Sequence, residues 1–455
     1  MPTRWKNRTS RRAFLQSSLL SIGCLQMPNL LLGQTPKKLQ FGGIGVEGKG
    51  KTDIARAGEG SEIVALCDVD RARLERAKAL YPNAKVFEDF REMFATLGDR
   101  LDGVTISTPD HSHYPIAMEA IRHGKHVCVQ KPLVNRIWEA NQLQEAARKK
   151  QVLTNMGNQG HLTDGIRLLK EWLAAGAVGR VREIVVWTNR PIWPQGAKAG
   201  ETIVPASTLP ATLNWEAWLA QCPSQPYLAG LHPFAWRAHQ EFGAGAMGDM
   251  GCHLLDGPFW ACELGEPLRL EARVNEPSAL SFPAQSTIEC IFRSELFGEV
   301  KLVWMDGGLK PERPAELDPD LDWEKMKGGC LYRGEEGLLI CPGDNSANPR
   351  ILPAARHKTF LESKNPKKFL ERAAVTTPQL ELVQAIEQRR VCGANFDYAV
   401  PLTRVCLLGN IAALLPGSRL EWDAKAQQFK NHAAANALLK REKVRSGWDY
   451  RADAI

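Results

Sequence analysis

The first third of the chain alternates between short apolar runs and longer stretches with helical spacing. Runs such as "SEIVALCDVD", "LDGVTISTPD" and "KHVCVQKPL" are rich in β-branched residues and have the length of buried strands. The stretches "RARLERAKAL" and "YPIAMEAIRHG" are typical of helices, and the second ends at a glycine. Strands that alternate with helices favour right-handed βαβ units and a parallel sheet covered on both faces. We therefore predict a doubly wound α/β domain over residues 36–155.

The pattern changes beyond residue 155. Longer apolar runs, "VREIVVWTNRPIW", "LRLEARVNE", "STIECIFRS" and "EVKLVWMDG", predict the strands of a second, more antiparallel sheet. Pro-rich loops interrupt them, and residues 210–237 combine a loop-like composition with several tryptophans. The run "LTRVCLLGNIAALL" predicts a late apolar helix. We assign residues 156–455 to a second α/β domain.

The stretch "TSRRAFLQSSLLSIG" near the start pairs two arginines with an apolar run. This run, residues 13–23, is shorter than the about 20 residues that a membrane-spanning helix needs. The pattern predicts a twin-arginine signal within residues 1–35, and hence an exported or periplasmic protein that folds before it meets the twin-arginine export machinery. Two ways of processing stay open: cleavage near residues 33–34, or lipid attachment at Cys24, although Ser21 stands where an aliphatic residue is expected.

Composition narrows the classes of partner. A chain of 455 residues with 44% hydrophobic residues can bury a large core, and its length favours two domains. The net charge of +7 is spread along the chain without a basic block interleaved with aromatics, so nucleic acid is not expected as a partner. The eleven cysteines form no Cys-x-x-Cys pair and lie mostly in apolar runs, which predicts buried thiols, few or no disulfides, and no metal site.

A glycine-rich turn, "GGIGVEGKG", follows the first predicted strand and admits two registers. The literal motif Gly43-x-Gly45-x-x-Gly48 leaves a strand of only three residues. The alternative, Gly45-x-Glu47-x-x-Gly50, gives a full strand but places a glutamate where the second glycine of a dinucleotide-binding turn belongs. We prefer the second register, in which Glu47 either points away from the pyrophosphate or loosens its contact with the backbone.

An acidic residue follows the next predicted strand. Asp68 stands about 20 residues after the glycines, where a carboxylate accepts hydrogen bonds from an adenosine ribose and repels a 2′-phosphate. The alternative, that Asp68 caps the following helix, is served better by Asp70. Thr108 and Pro109 follow the run "VTIS" at the edge where open α/β sheets bind ligands, so we expect both to line the dinucleotide. Together these residues predict NAD as the cofactor.

Three stretches in this order are similar to one known family: the strand, glycine turn and acid above, "STPDHSHYPIAMEAIRHGKHVCVQKPL", and "GAMGDMGCHLLD". They resemble the Gfo/Idh/MocA oxidoreductases. The resemblance implies an N-terminal Rossmann domain and a C-terminal α/β domain whose large open sheet holds the substrate and often mediates oligomers, so a homo-oligomer is expected. It also implies oxidation or reduction of a hydroxyl or carbonyl on a sugar, inositol or related polyol with a nicotinamide cofactor.

The same resemblance assigns roles to individual residues. The family's Glu-Lys-Pro motif falls on Gln130, Lys131 and Pro132, and its Asp-x-x-x-His motif falls on Asp249 and His253. It implies that Lys131 binds at the cofactor and hydrogen-bonds the reacting hydroxyl, that His253 is the general acid or base, and that Asp249 contacts or positions the substrate. A histidine suits this task because hydride transfer from a carbinol leaves a proton to be removed. Gln130 departs from the family's glutamate and removes a negative charge beside Lys131.

Polar and aromatic residues of the second domain are candidates for binding a sugar. The stretch "GNQGH" offers amide and imidazole groups for hydroxyls, and aromatic rings stack on the apolar faces of sugars. The candidates are Asn158, Gln159, His161, Trp193, Trp215, Trp218, Trp236 and Arg237. For each tryptophan the alternative is a place in the core or at a domain interface. His111 and His113 in "TPDHSH" are as compatible with helix capping as with ligand binding.

The predicted export signal and the predicted dinucleotide site support each other. The periplasm is expected to lack free nicotinamide, so NAD has to be loaded during folding in the cytoplasm and regenerated on the enzyme. We predict an NAD-dependent sugar or polyol oxidoreductase with tightly bound cofactor. The alternative is a glycosidase or lyase that oxidises a sugar hydroxyl transiently, eliminates the aglycone, adds water and reduces the product again. A non-catalytic sugar- and dinucleotide-binding protein is the third hypothesis.

Overall fold

A computed structural model describes residues 38–206, 208–364 and 366–455. The predicted export signal in residues 1–35, including Cys24, lies outside the described residues. Among the helices of the described part, none is long and apolar enough to cross a membrane. The ten cysteines that the structure describes are all buried, and none of them is in a disulfide.

The N-terminal part forms a parallel sheet with helices on both faces. Its strands are β1 (Gln40–Ile44), β2 (Glu62–Cys67), β3 (Lys85–Phe87), β4 (Gly103–Ile106), β5 (His126–Val129) and β6 (Thr154–Met156). The connecting helices are α1 (Lys49–Gly58), α2 (Arg71–Leu80), α3 (Phe90–Leu97), α4 (Asp110–Arg122) and α5 (Ile137–Lys150). The spatial order is β3-β2-β1-β4-β5-β6, which reverses beside β1, the place where open α/β sheets bind ligands. The predicted doubly wound fold is confirmed.

The second sheet is long and mixed. Its strands are β7 (Val181–Thr188), β10 (Pro267–Asn275), β11 (Gln285–Ser294), β12 (Gly298–Met305), β13 (Gly328–Gly334), β14 (Gly337–Pro342), β15 (Arg350–Leu352), β16 (Leu420–Asp423) and β17 (Gln428–Phe429). Two further strands, β8 (Val204–Pro205) and β9 (Leu228–Ala229), form a separate small β-ribbon. The order of strands in the large sheet is β15-β14-β13-β7-β12-β11-β10-β16-β17. Neighbours are antiparallel except β7 and β12, which run parallel. The predicted large, mostly antiparallel sheet is confirmed.

Nine helices of the described residues follow β6. They are α6 (Asp164–Ala174), α7 (Ala197–Thr202), α8 (Trp215–Leu219), α9 (Gly245–Leu254), α10 (Asp256–Ala261), α11 (Ala354–Lys364), α12 (Pro378–Gln388), α13 (Phe396–Leu414) and α14 (Ala433–Ala437). Short 3₁₀ turns span Gly98–Arg100, Gln159–Leu162, Ala235–Ala238 and Ala452–Ala454. Helix α13 is apolar on nearly all sides because it packs against α9, α5 and β10 at once.

Helix α12 completes the first domain from late in the sequence. It packs against α1 and β5, and Leu382 and Val383 lie in the same apolar cluster as Phe41 and Ile54. The parallel sheet therefore depends on residues that the division at residue 155 assigns to the second domain.

The segment between β7 and α9, here the tryptophan-rich segment (residues 189–244), builds a small core of its own. Trp215 stacks on Trp218 with ring centroids 4.7 Å apart, and both are buried. Its backbone pairs with the loop after β2: the amide of Arg71 donates to the carbonyl of Thr212 at 2.9 Å, and the amide of Asn214 donates to the carbonyl of Val69 at 2.8 Å. The segment thus covers the edge of the sheet at which ligands bind.

Residues 438–455, here the C-terminal segment, return to the first domain and lie across α4 and α5. The hydroxyl of Tyr114 donates to the carbonyl of Tyr450 at 2.6 Å, and the amide of Ala452 donates to Gln142 at 2.9 Å. Helix α4 is therefore buried along almost its whole length.

Candidate active site

The glycine turn between β1 and α1 has the register that places glycine at residues 45 and 50. Gly45 has a φ of 79°, and a Cβ there would lie 2.5 Å from the carbonyl oxygen of Ser107. A Cβ on Gly50 would overlap the carbonyl oxygen of Gly45, so neither position accepts a side chain. Gly48 precedes α1 with a φ of 58° and faces open space, and no side chain caps the helix. The free amides of this helix start fit a pyrophosphate.

Glu47, the unusual residue of the turn, is held by helix α2. Nε of Arg76 donates to its carboxylate at 2.5 Å, and Nε of Arg73 lies 3.8 Å away. The hydrogen bond from Arg76 lowers the pKa of Glu47 below its usual value. The two guanidinium groups offset the negative charge that Glu47 would otherwise present to a pyrophosphate.

Asp68 follows β2 and lies against the glycine turn. Its carboxylate accepts hydrogen bonds from the amides of Val46 and Asp70, both at 3.0 Å. Burial raises its pKa. Two backbone amides leave further lone pairs for the hydroxyls of a ribose. Asp70, not Asp68, caps α2, because its side chain accepts from the amide of Ala72.

A cavity of about 640 Å³ joins this turn to the second domain. Its walls contain Gly45, Gly48, Asp68, Thr108, Pro109 and Lys131 from the first domain and Gln159, Trp218, Trp236, Arg237, Asp249 and His253 from the second. The size is that of a small-molecule site. Most residues that the sequence singles out for cofactor and chemistry therefore face one space.

Lys131 and Asp249 form the centre of the site. Nζ of Lys131 donates to the backbone carbonyl of Asp249 at 2.6 Å and to its Oδ1 at 3.0 Å. Burial alone would raise the pKa of Asp249, but Lys131 and Arg237 lower it below its usual value. An ammonium group has three N–H donors, so one of those on Lys131 is left for a substrate oxygen.

His253 lies one helical turn after Asp249 on α9, and Asn158 fixes its tautomer. Nδ2 of Asn158 donates to the carbonyl of Cys252 at 2.8 Å, which leaves Oδ1 to face Nδ1 of His253 at 3.0 Å. Nδ1 therefore carries the proton, and Nε2 is the nitrogen able to accept one. Burial and the charge of Lys131 lower the pKa of His253 to about 3, so the ring is neutral.

The side-chain amide of Gln130 is hydrogen-bonded to α1. Its Nε2 donates at 2.7 Å to Oδ2 of Asp53, which also accepts from the hydroxyl of Ser107 at 2.7 Å. Lys49 pairs with the other oxygen of Asp53 at 2.7 Å. A glutamate in place of Gln130 would bring two carboxylates together, so the neutral amide suits these surroundings.

Arg237 stands beside this cluster on an aromatic surface. Its guanidinium carbon lies 4.3 Å from the ring centroid of Trp236 and 4.6 Å from that of Phe234, and its Nε is 3.6 Å from Asp249. The side chain is thereby held at the wall that the second domain contributes to the cavity.

The structure does not bring every candidate to the cavity. His161 is buried with Nδ1 3.0 Å from Asp256 and its ring against Tyr398, so it supports α10 rather than the cavity wall. Trp193 is buried and donates to Gln195 at 2.9 Å, and Trp215 lies behind Trp218. Asn158, also a candidate for the substrate, is fully buried and is not part of the cavity wall. Residue type suggested these four residues, but the contacts that bury them could not be seen in the sequence.

The two histidines of "TPDHSH" hold loops together. His113 lies between the carbonyls of Thr108 and Pro132, at 2.8 and 2.9 Å, and so connects two walls of the cavity. His111 lies between the carbonyls of Phe242 and Trp218 and joins α4 to the tryptophan-rich segment.

Asp110 and Trp448 are among the residues of the cavity wall that the sequence did not single out. Asp110 begins α4 and is 5% exposed, and burial raises its pKa to about 8 against the opposing charges of Arg237 and Lys131. Its place directly after Pro109 was a usable signal. Trp448 lies in a polar tail that carries no motif.

Among the described residues, no group of three or more histidine, cysteine, aspartate or glutamate side chains is arranged to hold a metal ion.

Two family models match the chain. Residues 39–158 match the NAD-binding Rossmann fold of the Gfo/Idh/MocA oxidoreductase family, and residues 165–275 match the family's C-terminal α/β domain. The chain belongs to this family. The first match makes its N-terminal domain an NAD-binding Rossmann domain.

Curated relatives match this chain over limited regions. An uncharacterized oxidoreductase of Synechocystis is 24% identical over 44% of this chain and 44% of its own. Levoglucosan dehydrogenase of Pseudarthrobacter phenanthrenivorans is 26% identical over 34% of this chain and 31% of its own. Glycosyl hydrolase family 109 protein 4 of Phocaeicola vulgatus is 31% identical over 26% of each chain. The chain thus spans less than half the length of these relatives.

Solved structures share the fold of this Gfo/Idh/MocA chain over most of its length. The WlbA dehydrogenase of Bordetella pertussis, in complex with NADH and UDP-GlcNAcA, has a TM-score of 0.59 at 16% identity and covers 86% of this chain and 99% of its own. The aldose-aldose oxidoreductase of Caulobacter crescentus, complexed with glycerol, has a TM-score of 0.52 at 15% identity and covers 85% and 100%.

Proposed function

We propose that this protein is an exported oxidoreductase that acts on a hydroxyl or carbonyl group of a sugar, glycoside or polyol with tightly bound NAD. One observation carries the proposal: Lys131, Asp249 and the fixed tautomer of His253 line the same cavity as the glycine turn and Asp68. A proton donor, a proton acceptor and a dinucleotide turn in one space are what the oxidation of a carbinol requires.

NAD supplies the acceptor for the hydride that leaves the carbinol carbon. Lys131 donates its free N–H to the reacting oxygen and stabilises the negative charge that develops there. Nε2 of His253 takes the hydroxyl proton, and Asn158 keeps that nitrogen unprotonated beforehand. The carboxylate of Asp249 opposes the lowering of the pKa of His253 by burial and Lys131, and so favours the ring once it has taken the proton. Reduction of a carbonyl runs through the same groups in reverse.

Tight retention of NAD is supported by what covers the cavity. The tryptophan-rich segment places Trp218, His232 and Phe234 in the wall opposite the sheet and is hydrogen-bonded to the loop that carries Asp68. Trp236 and Arg237 give this wall an apolar ring and a cation. The ring suits the C–H face of a sugar, and the cation suits its hydroxyl or acidic groups.

The second candidate function is redox-neutral cleavage of a glycoside, and Asp110 favours it. Burial holds this carboxyl protonated up to about pH 8, in the same cavity as Lys131 and His253. A protonated acid beside the reacting centre is suited to protonating a departing aglycone. The similarity to a glycosyl hydrolase family 109 protein over a quarter of the chain adds to this candidate.

The deciding experiment begins with mature protein purified without added nucleotide. Its bound dinucleotide is identified by mass spectrometry after denaturation, and the protein is then incubated with free sugars and with aryl glycosides. Stoichiometric NAD and a keto-sugar support the oxidoreductase, whereas release of the aglycone without net NADH supports cleavage. Protein that neither carries nor binds NAD contradicts both.

Export is tested separately with a fusion of the chain to a reporter. Replacing Arg11 and Arg12 by lysine is expected to abolish export while the reporter accumulates in the cytoplasm. The same substitution at Arg4 and Arg8 is the matched control. Unchanged export of the first variant contradicts the twin-arginine assignment.

A further inference from the structure

The C-terminal segment reaches the cavity at one residue. Trp448 is 6% exposed and contributes to the cavity wall together with Val69, Phe90 and Ile116. Val69 directly follows Asp68, and the amide of Asp68 donates to the carbonyl of Phe87, three residues before Phe90, at 3.2 Å. In a dinucleotide turn of this kind, the acid after β2 marks the adenosine end. The apolar character of this end fits the flat ring of an adenine.

Trp448 is fixed on several sides. Its ring meets that of Phe90 edge to face at 5.8 Å. The guanidinium carbons of Arg91 and Arg445 lie 4.4 and 5.2 Å from its centroid. A buried indole with cations over the ring is held firmly, so this wall is built before any ligand arrives.

Arg445 connects the C-terminal segment to the tryptophan-rich segment. Its Nε donates to the carbonyl of Ala220 at 2.7 Å, its Nη1 pairs with Glu216, and its amide donates to the carbonyl of Gln221 at 3.2 Å. Glu216 lies in α8 and Ala220 directly follows it, and Trp218 of the same helix lines the cavity. One arginine therefore joins the two segments.

We propose that the C-terminal segment is part of the dinucleotide-binding site: Trp448 forms a wall of the adenosine end, and Arg445 keeps the tryptophan-rich segment closed over it. Release of the cofactor then requires the contact of Arg445 with Glu216 and Ala220 to open. The inference rests on the proposed function only in taking NAD as the ligand, and it holds whichever sugar is the substrate.

The test follows the release of isotopically labelled NAD from the full mature protein into excess unlabelled NAD. Trp448→Ala is expected to speed release at least about tenfold, and Arg445→Gln at least about threefold. In competition with the label, ADP-ribose should bind Trp448→Ala more weakly by a similar factor, whereas nicotinamide mononucleotide should bind it as it binds the unmodified protein.

Two control variants match these in chemistry but lie outside the cavity. Trp323 is 5% exposed and has Lys310 over its ring at 5.4 Å, and Arg350 pairs with Asp320 at 2.8 Å. Trp323→Ala and Arg350→Gln should release NAD at the unmodified rate. If they accelerate release as much as the test variants, the segment acts only through stability and the proposal is overturned.

The remaining outcomes are separable. Should Trp448→Ala fail to fold, Arg445→Gln decides, because it keeps a polar side chain at this position and removes the pairing with Glu216, whose side chain is 65% exposed. Unmodified release in every folded test variant overturns the proposal. If the unmodified protein binds ADP-ribose but oxidises or cleaves no sugar, the proposed function fails while the role of the C-terminal segment stands.

Discussion

Oδ1 of Asn158 lies 3.0 Å from Nδ1 of His253, and this contact decides which imidazole nitrogen is free to accept a proton. The amide in turn is oriented by the carbonyl of Cys252. A residue of the first loop after β6 thereby sets the protonation pattern of a histidine on α9.

Replacing Asn158 by alanine is expected to lower kcat about ten- to a hundredfold, because His253 loses its orientation but keeps its place. Labelled NAD should be retained as before. Asn158→Asp gives a sharper readout, since a carboxylate at this position raises the pKa of His253 and moves the acidic limb of the kcat/KM profile to higher pH. An unmoved limb would contradict the assigned tautomer.

Lys131→Met keeps most of the side-chain volume but removes the ammonium group. The loss of its hydrogen bond and charge is expected to lower turnover about 10²- to 10⁴-fold, with little change in the amount of bound NAD. Lys310→Met, in the second domain over Trp323, is the matched control and should turn over normally. Full activity of Lys131→Met would remove the proposed mechanism.

Gln130→Glu is expected to destabilise the protein, by about 1–3 kcal/mol at neutral pH, because it faces the buried carboxylate of Asp53. Two adjacent carboxylates raise the pKa of the pair in the folded protein. The deficit should therefore shrink as the pH falls toward 4 and grow as the pH rises. Thermal unfolding from pH 4 to 8 measures this, and Gln130→Met should show a deficit that does not vary with pH.

Asp110 is expected to make stability fall with rising pH. Burial raises its pKa to about 8 in the folded protein, whereas the unfolded carboxyl ionises near 3.8. The folded state therefore holds a proton that the unfolded state releases, and stability present below about pH 4 is lost as the pH rises toward 8. Asp110→Asn should lose less stability than the unmodified protein over this range. Parallel unfolding curves for the two proteins would refute the assignment.

Local constraints explain what the sequence predicted well. The glycines at residues 45 and 50 are dictated by backbone contacts within one turn, so the register could be inferred from strand length alone. Asp249 and His253 are four residues apart on α9, and their shared face follows from helix geometry. Their meeting with Lys131 came from family resemblance, since the contact joins residues 118 positions apart.

Where prediction failed, the deciding contacts are distant in sequence. His161 and Trp193 have residue types common in sugar sites, but their partners belong to buried clusters that periodicity does not show. The C-terminal segment has no strong pattern of its own, and Tyr450 contacts Tyr114 across 336 positions. The packing of α12 on α1 is likewise a contact between elements that are distant in sequence.

The positions of α12 and of the C-terminal segment late in the sequence determine when the first domain can finish folding during translation. Although the Rossmann sheet is the first part of the described chain to be translated, the part of it beside β5 that α12 covers stays exposed until residues 378–388 have been made. The adenosine end of the cavity is completed later still, when Trp448 has been made. The nascent chain therefore cannot finish its cofactor site on the ribosome ahead of the second domain, and a chain stopped early leaves apolar sheet surface open to aggregation.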